Sequence, residues 1–209
     1  MTRILIVDDH EVVRRGLEQI LAEELGDARF GHAATSPAAL ERLSEQEWEL
    51  VLLDVNLPGR GGLELLEELR QRWPRLPVLV VSAYPEEEFA VRAIRLGAAG
   101  YVTKDSASDE LVTAARKVLS GGRYVTGTLA ERLAAVLGGG DAQEPLELLS
   151  SRELQVLRLV ASARTLKQIA SELHLSEKTI STYRTRISQK LGIGSNVELT
   201  RYALRHGLV

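Results

Sequence analysis

The 209-residue chain has no cysteine, one methionine, two tryptophans and four histidines. Without cysteine there is no disulfide scaffold, no thiolate zinc site and no Cys nucleophile. The histidines, His10, His32, His174 and His206, show no metal-ligand spacing and are read as structural or surface groups. No apolar run approaches the ~18 residues that a membrane-spanning helix needs. No G-x-G-x-x-G follows the first apolar run, which excludes the usual dinucleotide-binding turn. No internal repeat or low-complexity tract is visible. The chain begins directly with Arg3-Ile4-Leu5-Ile6-Val7-Asp8, without a charged leader or cleavage pattern. The expectation is therefore a soluble, cytoplasmic protein with no membrane partner. An apolar fraction of 44% is ordinary for a packed protein and excludes disorder as the main state. The length fits one large domain or two small ones.

The net charge of -3 is unevenly spread. Residues 148–209 carry ten Lys+Arg against four Asp+Glu, whereas residues 1–147 carry sixteen against twenty-five. Such an asymmetry points to an acidic module joined to one that binds nucleic acid.

Short apolar runs at Ile4–Val7, Leu50–Leu53, Val78–Val81 and Ala98–Val102, with a poorer one near Arg29–Ala34, punctuate the first hundred residues. Between them, Val12–Leu25, Ser36–Leu43, Leu63–Leu69 and Phe89–Leu96 have helical spacing, and Leu111–Leu119 adds one more helix. Continuous apolar strands alternating with amphipathic helices predict a doubly wound (βα)5 parallel sheet over residues 1–120. Gly121-Gly122 and Gly138-Gly139-Gly140 bound a linker, 121–147, in which Leu129, Leu133, Val136 and Leu137 predict a short helix. Residues 148–209 read as a small all-α domain opening on a capping box, Ser150-Ser151-Arg152-Glu153.

The residues just past the strands form the most informative pattern. Val7 leads to Asp8-Asp9, Leu53 to Asp54, Val81 to Ser82, and Val102-Thr103 to Lys104, one of only five lysines. The carboxyl ends of parallel strands lie on one edge, so these groups are expected to converge there. Two carboxylates ~4 Å apart repel by about 4 kcal/mol at an effective dielectric of ~20, and a cation is needed to hold them. Hard oxygen ligands with open positions suit Mg²⁺. An aspartate in such a site can attack phosphorus, with Lys104 and Ser82 facing the phosphoryl oxygens. A single Asp after a strand is ordinarily a turn or helix cap; the whole constellation is not.

Val7-Asp8-Asp9-His10, Asp54-Val55-Asn56-Leu57-Pro58-Gly59-Arg60-Gly61-Gly62, Ser82-Ala83 and Gly97-Ala98-Ala99-Gly100-Tyr101-Val102-Thr103-Lys104-Asp105 together resemble the receiver domain of bacterial response regulators. The resemblance implies that Asp54 accepts a phosphoryl group from a sensor histidine kinase. It implies that Asp8, Asp9, Asp54 and the backbone carbonyl of Asn56 bind Mg²⁺. It also places Ser82 and Tyr101 at the family's switch positions, the hydroxyl moving onto the phosphate and the aromatic ring turning inward behind it.

Residues 148–209 resemble the LuxR-type helix-turn-helix of the NarL/FixJ class through Leu149–Leu154, Ile169-Ala170, Leu175–Ile180 and Lys190–Ile193. On a helix beginning near Glu177, Ile180, Ile187 and Leu191 share one face. Lys178, Thr182, Thr185 and Gln189 project from the other, with Arg186 beside them, and suit base edges in a major groove. Tyr183, Arg184 and Lys190 on the flanks better suit phosphates, and Thr179 adds a backbone contact near the helix start. Ala163-Arg164 replaces the more usual Gly at the turn before the second helix, Leu166 stands where a polar residue is common, and Tyr183 stands where many members carry His.

These readings converge on a two-component transcription regulator, switched by phosphorylation of Asp54 and binding operator DNA as a homodimer. It is not a dedicated enzyme, although it can lose its own phosphoryl group. Two rivals keep the same residues. One is a DNA-binding regulator whose receiver-like domain dimerises without phosphorylation, and the other is a Mg²⁺-dependent phosphohydrolase.

Overall fold

A computed structural model of the chain describes residues 1–59, 61–106, 108–137, 149–173, 175–206 and 208–209, without the side chains of Glu87, Glu88, Val136, Leu137 and Ser151. The triple-glycine break, the remainder of the anticipated linker to residue 147, and His174 lie outside the described residues. The chain forms two compact units, Met1–Asp141 and Ala142–Val209.

In the first unit, strands β1 (Thr2–Val7), β2 (Ala28–Ala33), β3 (Leu50–Leu53), β4 (Val78–Ser82) and β5 (Gly100–Thr103) alternate with helices α1 (Glu11–Leu25), α2 (Ser36–Glu45), α3 (Gly62–Arg72), α4 (Glu86–Arg95) and α5 (Ser108–Leu119). All strand pairs are parallel, in the order β2-β1-β3-β4-β5. The apolar runs are strands because both their faces are covered: every residue of β3 and β4 is buried. Ile4, Ile6, Leu50, Leu52, Leu79 and Val81 pack with Leu21 of α1 and with Leu111, Val112 and Ala115 of α5.

Register brings the strand ends into line. Val7 pairs with Leu53, Leu53 with Val80, and Ser82 with Thr103. The ladder continues one residue past these ends. Asp8 N–H donates to Ala33 O (3.1 Å), Asp54 N–H to Val7 O (2.8 Å) and Lys104 N–H to Ser82 O (2.7 Å). Asp8, Asp54 and Lys104 are thus fixed through their own backbones. Helix α6 (Gly127–Leu137) supplies the helix anticipated between the glycine breaks; it packs on α4 and belongs to the first compact unit.

The second unit contains α7 (Ser151–Ala161), α8 (Leu166–Glu172), α9 (Glu177–Leu191) and α10 (Asn196–Arg205). A side-chain hydroxyl caps each one. Ser150 and Glu153 form the expected capping box on α7, and Thr165 and Gln168 form a second on α8. Ser176 and Ser195 cap α9 and α10. Among the described residues, no helix is long and apolar enough to cross a membrane.

The turn between α7 and α8 carries a local strain. Ala163 has φ 57°, the one left-handed non-glycine among the described residues. A Cβ in that region costs ~1–2 kcal/mol, partly offset in the comparison with Gly by the entropy that Gly loses on folding. Ala163→Gly is therefore expected to stabilise the second unit by about 0.5–1 kcal/mol, read from the midpoint of its urea unfolding followed by circular dichroism. A lower midpoint would mean that the turn gains more from the methyl group than it loses to strain.

Candidate functional site

At the carboxyl edge of the sheet, Asp8, Asp54 and Lys104 meet. Lys104 Nζ lies 2.8 Å from Asp54 Oδ2 and 2.5 Å from Asp8 Oδ2. The two carboxylates are almost fully buried, with side chains 2% exposed. The Asp54 contact is a hydrogen bond. The Asp8 contact is a close ion pair, and among the described residues Lys104 is the one cation against Asp8 Oδ2. The remaining oxygens are held locally. Asp54 Oδ1 accepts the Asn56 amide (3.1 Å), and Asp8 Oδ1 accepts the His10 amide (2.8 Å).

Burial pushes the Asp54 carboxyl above the usual range; the Lys104 ammonium opposes that shift, and the Asp8 charge adds to it. Burial alone would lower Lys104, but the Asp54 and Asp8 carboxylates outweigh it and hold its ammonium above the usual range. The ion pair is thus a partial remedy for two acids brought too close together.

Asp9, more exposed, completes the cluster, in which one ligand atom from each of Asp8, Asp9, His10 and Asp54 lies within 4.8 Å of the others. His10, set aside in the sequence reading, stands here with Nδ1 2.8 Å from Asp9 Oδ1. The donor set of clustered carboxylate oxygens, two of them on almost fully buried acids, fits a hard divalent cation. His32 pairs with Glu18, and the His206 ring packs 4.3 Å from Tyr202.

Ser82 and Tyr101 are fully buried beside this edge. Ser82 Oγ accepts the Tyr84 amide (3.2 Å), while the Tyr101 hydroxyl donates to the Tyr84 carbonyl (2.9 Å). One residue, Tyr84, therefore connects both positions. Gly62, at the start of α3, was not singled out by the sequence reading. It sits directly under the Asp54–Val55 peptide, its N–H donating to Val55 O at 2.9 Å.

In the second unit, Ile180 and Ile187 of α9 are buried, and Lys178, Thr182, Thr185, Arg186 and Gln189 are all exposed on one face. Thr179, Tyr183 and Arg184 are half-buried. Thr182 and Thr185 donate to the carbonyls of Lys178 and Ser181, one turn back, which parks their hydroxyls on the helix. Lys190 differs from the rest. Its Nζ donates to Glu153 Oε2 (2.6 Å), the same buried carboxylate oxygen that caps the Ser150 amide. Sequence reasoning assigned it to phosphate and named no internal partner.

The family described as response regulator receiver domain matches residues 4–116, and that described as bacterial regulatory proteins, luxR family, matches residues 147–203. The chain belongs to the LuxR-type response regulators. It is 39% identical to response regulator GacA of Pseudomonas protegens, over all of this chain and 98% of that one. It is 34% identical to response regulator UvrY of Escherichia coli K12, over all of this chain and 96% of that one. Among solved structures, RcsB of Salmonella enterica serovar Typhimurium, bound to promoter rprA in the presence of the phosphomimetic BeF3-, superposes with TM-score 0.61. It is 26% identical, over 96% of this response regulator and 97% of that chain. A LuxR-family response regulator from Aurantimonas sp. SI85-9A1 matches 66% of this chain and 99% of its own at 34% identity, with TM-score 0.59. The first unit is thus a receiver domain and the second a LuxR-type DNA-binding domain.

Proposed function

We propose that this response regulator accepts a phosphoryl group on Asp54 from a sensor histidine kinase and thereby gains affinity for operator DNA as a homodimer. The observation that carries this reading is the buried Asp54 carboxylate, gripped by Lys104 and crowded by Asp8. In the proposed step an Asp54 carboxylate oxygen attacks phosphorus, the bond to the kinase's histidine nitrogen breaks, and that imidazole leaves with the electron pair. Mg²⁺, held by Asp8, Asp9, Asp54 and the Asn56 carbonyl, would offset charge on the phosphoryl oxygens. Lys104 takes a share of the same charge, and the Ser82 hydroxyl turns from the Tyr84 amide to donate to a phosphoryl oxygen. Tyr101 is fully buried with its hydroxyl on the Tyr84 carbonyl, which supports a coupled role with Ser82. The group ends on the protein itself, so the chain is read as a switch in the cytoplasm and not as a dedicated enzyme.

The domains divide in the same way: a receiver over 1–120, a linker over 121–147 and a DNA-binding domain over 148–209. Lys178, Thr182, Thr185, Arg186 and Gln189 face base edges. Thr179, Tyr183 and Arg184 meet the phosphate backbone. Lys190 contributes to that backbone contact only by leaving Glu153. Driving such a switch from 1:99 to 99:1 takes about 5.5 kcal/mol of preference for the active state.

The test is selection from a random duplex pool by the full chain, with and without acetyl phosphate and Mg²⁺. The expected result is a two-fold symmetric site with half-sites about one helical turn apart, or a multiple, bound at least tenfold more tightly by the treated protein. Equal affinity in both conditions favours the regulator that needs no phosphorylation. Turnover of a phosphomonoester in many-fold excess over protein favours the phosphohydrolase.

A further inference from the structure

The segment after α5 is tied to the first unit at two acids. Tyr124 N–H donates to Ala99 O (2.8 Å), which lays Tyr124 beside Gly100 at the start of β5. The Tyr124 hydroxyl donates to Glu110 Oε1 of α5 (3.0 Å), and burial together with that carboxylate pushes its phenol up to about 12. Two residues on, Thr126 caps α6 by accepting the Leu129 amide (3.1 Å). The hydroxyls of Thr126 and Thr128 both donate to a single oxygen, Glu86 Oε1, at 2.6 and 2.9 Å. Glu86 is the first residue of α4, so α6 begins where α4 begins, with a carboxylate placed favourably at its N-terminus.

The described side chains of α6 bury only a narrow apolar face. Leu129 is fully buried and Leu133 half-buried, whereas Ala130, Glu131, Ala134 and Ala135 face outward. An eleven-residue helix is marginal in water without such support. The acid that supports it stands four residues beyond Ser82, across a connection stiffened by Pro85. The Tyr84 backbone in that connection is bonded to Ser82 on one side and to Tyr101 on the other. The Tyr84 ring packs on Phe89 of α4, 4.8 Å away. Glu86 follows Tyr84 by two residues, and a displacement of ~1 Å along the two hydroxyl contacts, 2.6 and 2.9 Å long, would carry both beyond hydrogen-bond reach.

We propose that Glu86 is a latch that clamps α6 onto α4 in the unmodified chain and opens when the β4–α4 connection moves, so that the state of Asp54 controls whether the segment leading to the DNA-binding domain is held. The opening rests on the phosphorylation reading given above; the clamp does not.

Amide hydrogen exchange on the full chain separates the two. In the wild type without phosphodonor, the amides of Leu129–Leu133 exchange slowly. In Glu86→Ala, and in Thr128→Val, which spares the Thr126 cap, they exchange at least ~10-fold faster while α5 keeps its protection. The wild type with Mg²⁺ and beryllofluoride, its binding followed by ¹⁹F NMR, shows the same acceleration. Unchanged protection of α6 in both variants overturns the clamp. Bound beryllofluoride with α6 still slow overturns the opening. Absence of any bound fluoride signal counts against the receiver reading and the opening together, and leaves the two variants to decide the clamp.

Discussion

Asp54→Asn is expected to take up no phosphoryl group from acetyl phosphate and Mg²⁺ under conditions that convert the wild type to a band retarded in a phosphate-affinity gel. The carboxamide keeps the volume and can still accept the Asn56 amide, but it lacks the anionic oxygen that the proposed attack on phosphorus requires. The same variant is expected to be the more stable protein in the absence of divalent cation. Burial holds the Asp54 carboxyl above its ordinary value, with Lys104 only partly opposing it. A group raised in this way contributes its stability in full below the unfolded value and loses it as the pH rises through the folded one. At neutral pH the ionised Asp54 therefore weighs against folding, and the amide does not. The first unit of Asp54→Asn should melt roughly 2–4 °C higher than wild type at neutral pH. The gap should close as the pH falls through the folded value and the wild-type carboxyl regains its proton. Mg²⁺ at about tenfold its Kd should narrow the gap from the other side, adding roughly 1.4 kcal/mol to the wild type. A retarded band from Asp54→Asn would identify another acceptor. A variant that melts below wild type at neutral pH would mean that the Lys104 pair outweighs burial.

The second large effect is expected at a residue with no chemistry of its own. A Cβ on Gly62 would overlap the Asp54 carbonyl oxygen and stand 2.8 Å from Val55 Cα. Both obstacles are backbone, and no rotamer relieves them. Either α3 moves off the sheet edge or the Asp54–Val55 peptide shifts, and overpacking of this kind costs about 1–3 kcal/mol. Gly62→Ala should therefore lower the stability of the first unit by about 3 kcal/mol and slow phosphorylation by more than tenfold. Gly61→Ala is the control. Its Cβ meets only the end of the Glu64 side chain, which can swing aside. Urea unfolding followed by tryptophan fluorescence checks both, because Trp48 and Trp73 both belong to the first unit. Equal midpoints for Gly62→Ala and wild type would refute the steric argument.

The sheet and its edge were legible because parallel strands buried on both faces leave continuous apolar runs, and the residues after them stand out by charge. Asp8, Asp54, Ser82 and Lys104 could be gathered without coordinates because strand ends align in such a sheet. The exposed face of α9 was readable from its helical period for the same reason. What escaped depends on distances that no period encodes. Gly62 looks like any turn glycine until the Asp54 carbonyl is found above it. Lys190 lies on a basic helix, and its partner Glu153 lies on α7, 37 residues away. Thr165-x-x-Gln168 is a different case. Its capping-box pattern stands in the sequence, and the structure forms it without the glycine usual just before it.

The order of the sheet also bears on how the molecule comes into being. The acidic edge draws Asp8 from β1, Asp54 from β3 and Lys104 from β5, and neighbours such as β1 and β3 lie more than forty residues apart in sequence. Pairings so distant close late, since the chain entropy of closing each loop is spent before any contact rewards it. The helices described in the second unit depend mainly on near neighbours and should form sooner, although the ribosome releases them last. A partly folded chain would then own a DNA-binding surface before it owns a site that could govern it. Tryptophan fluorescence should lag helical circular dichroism during refolding, and the ability to take up phosphate should return with the slower signal.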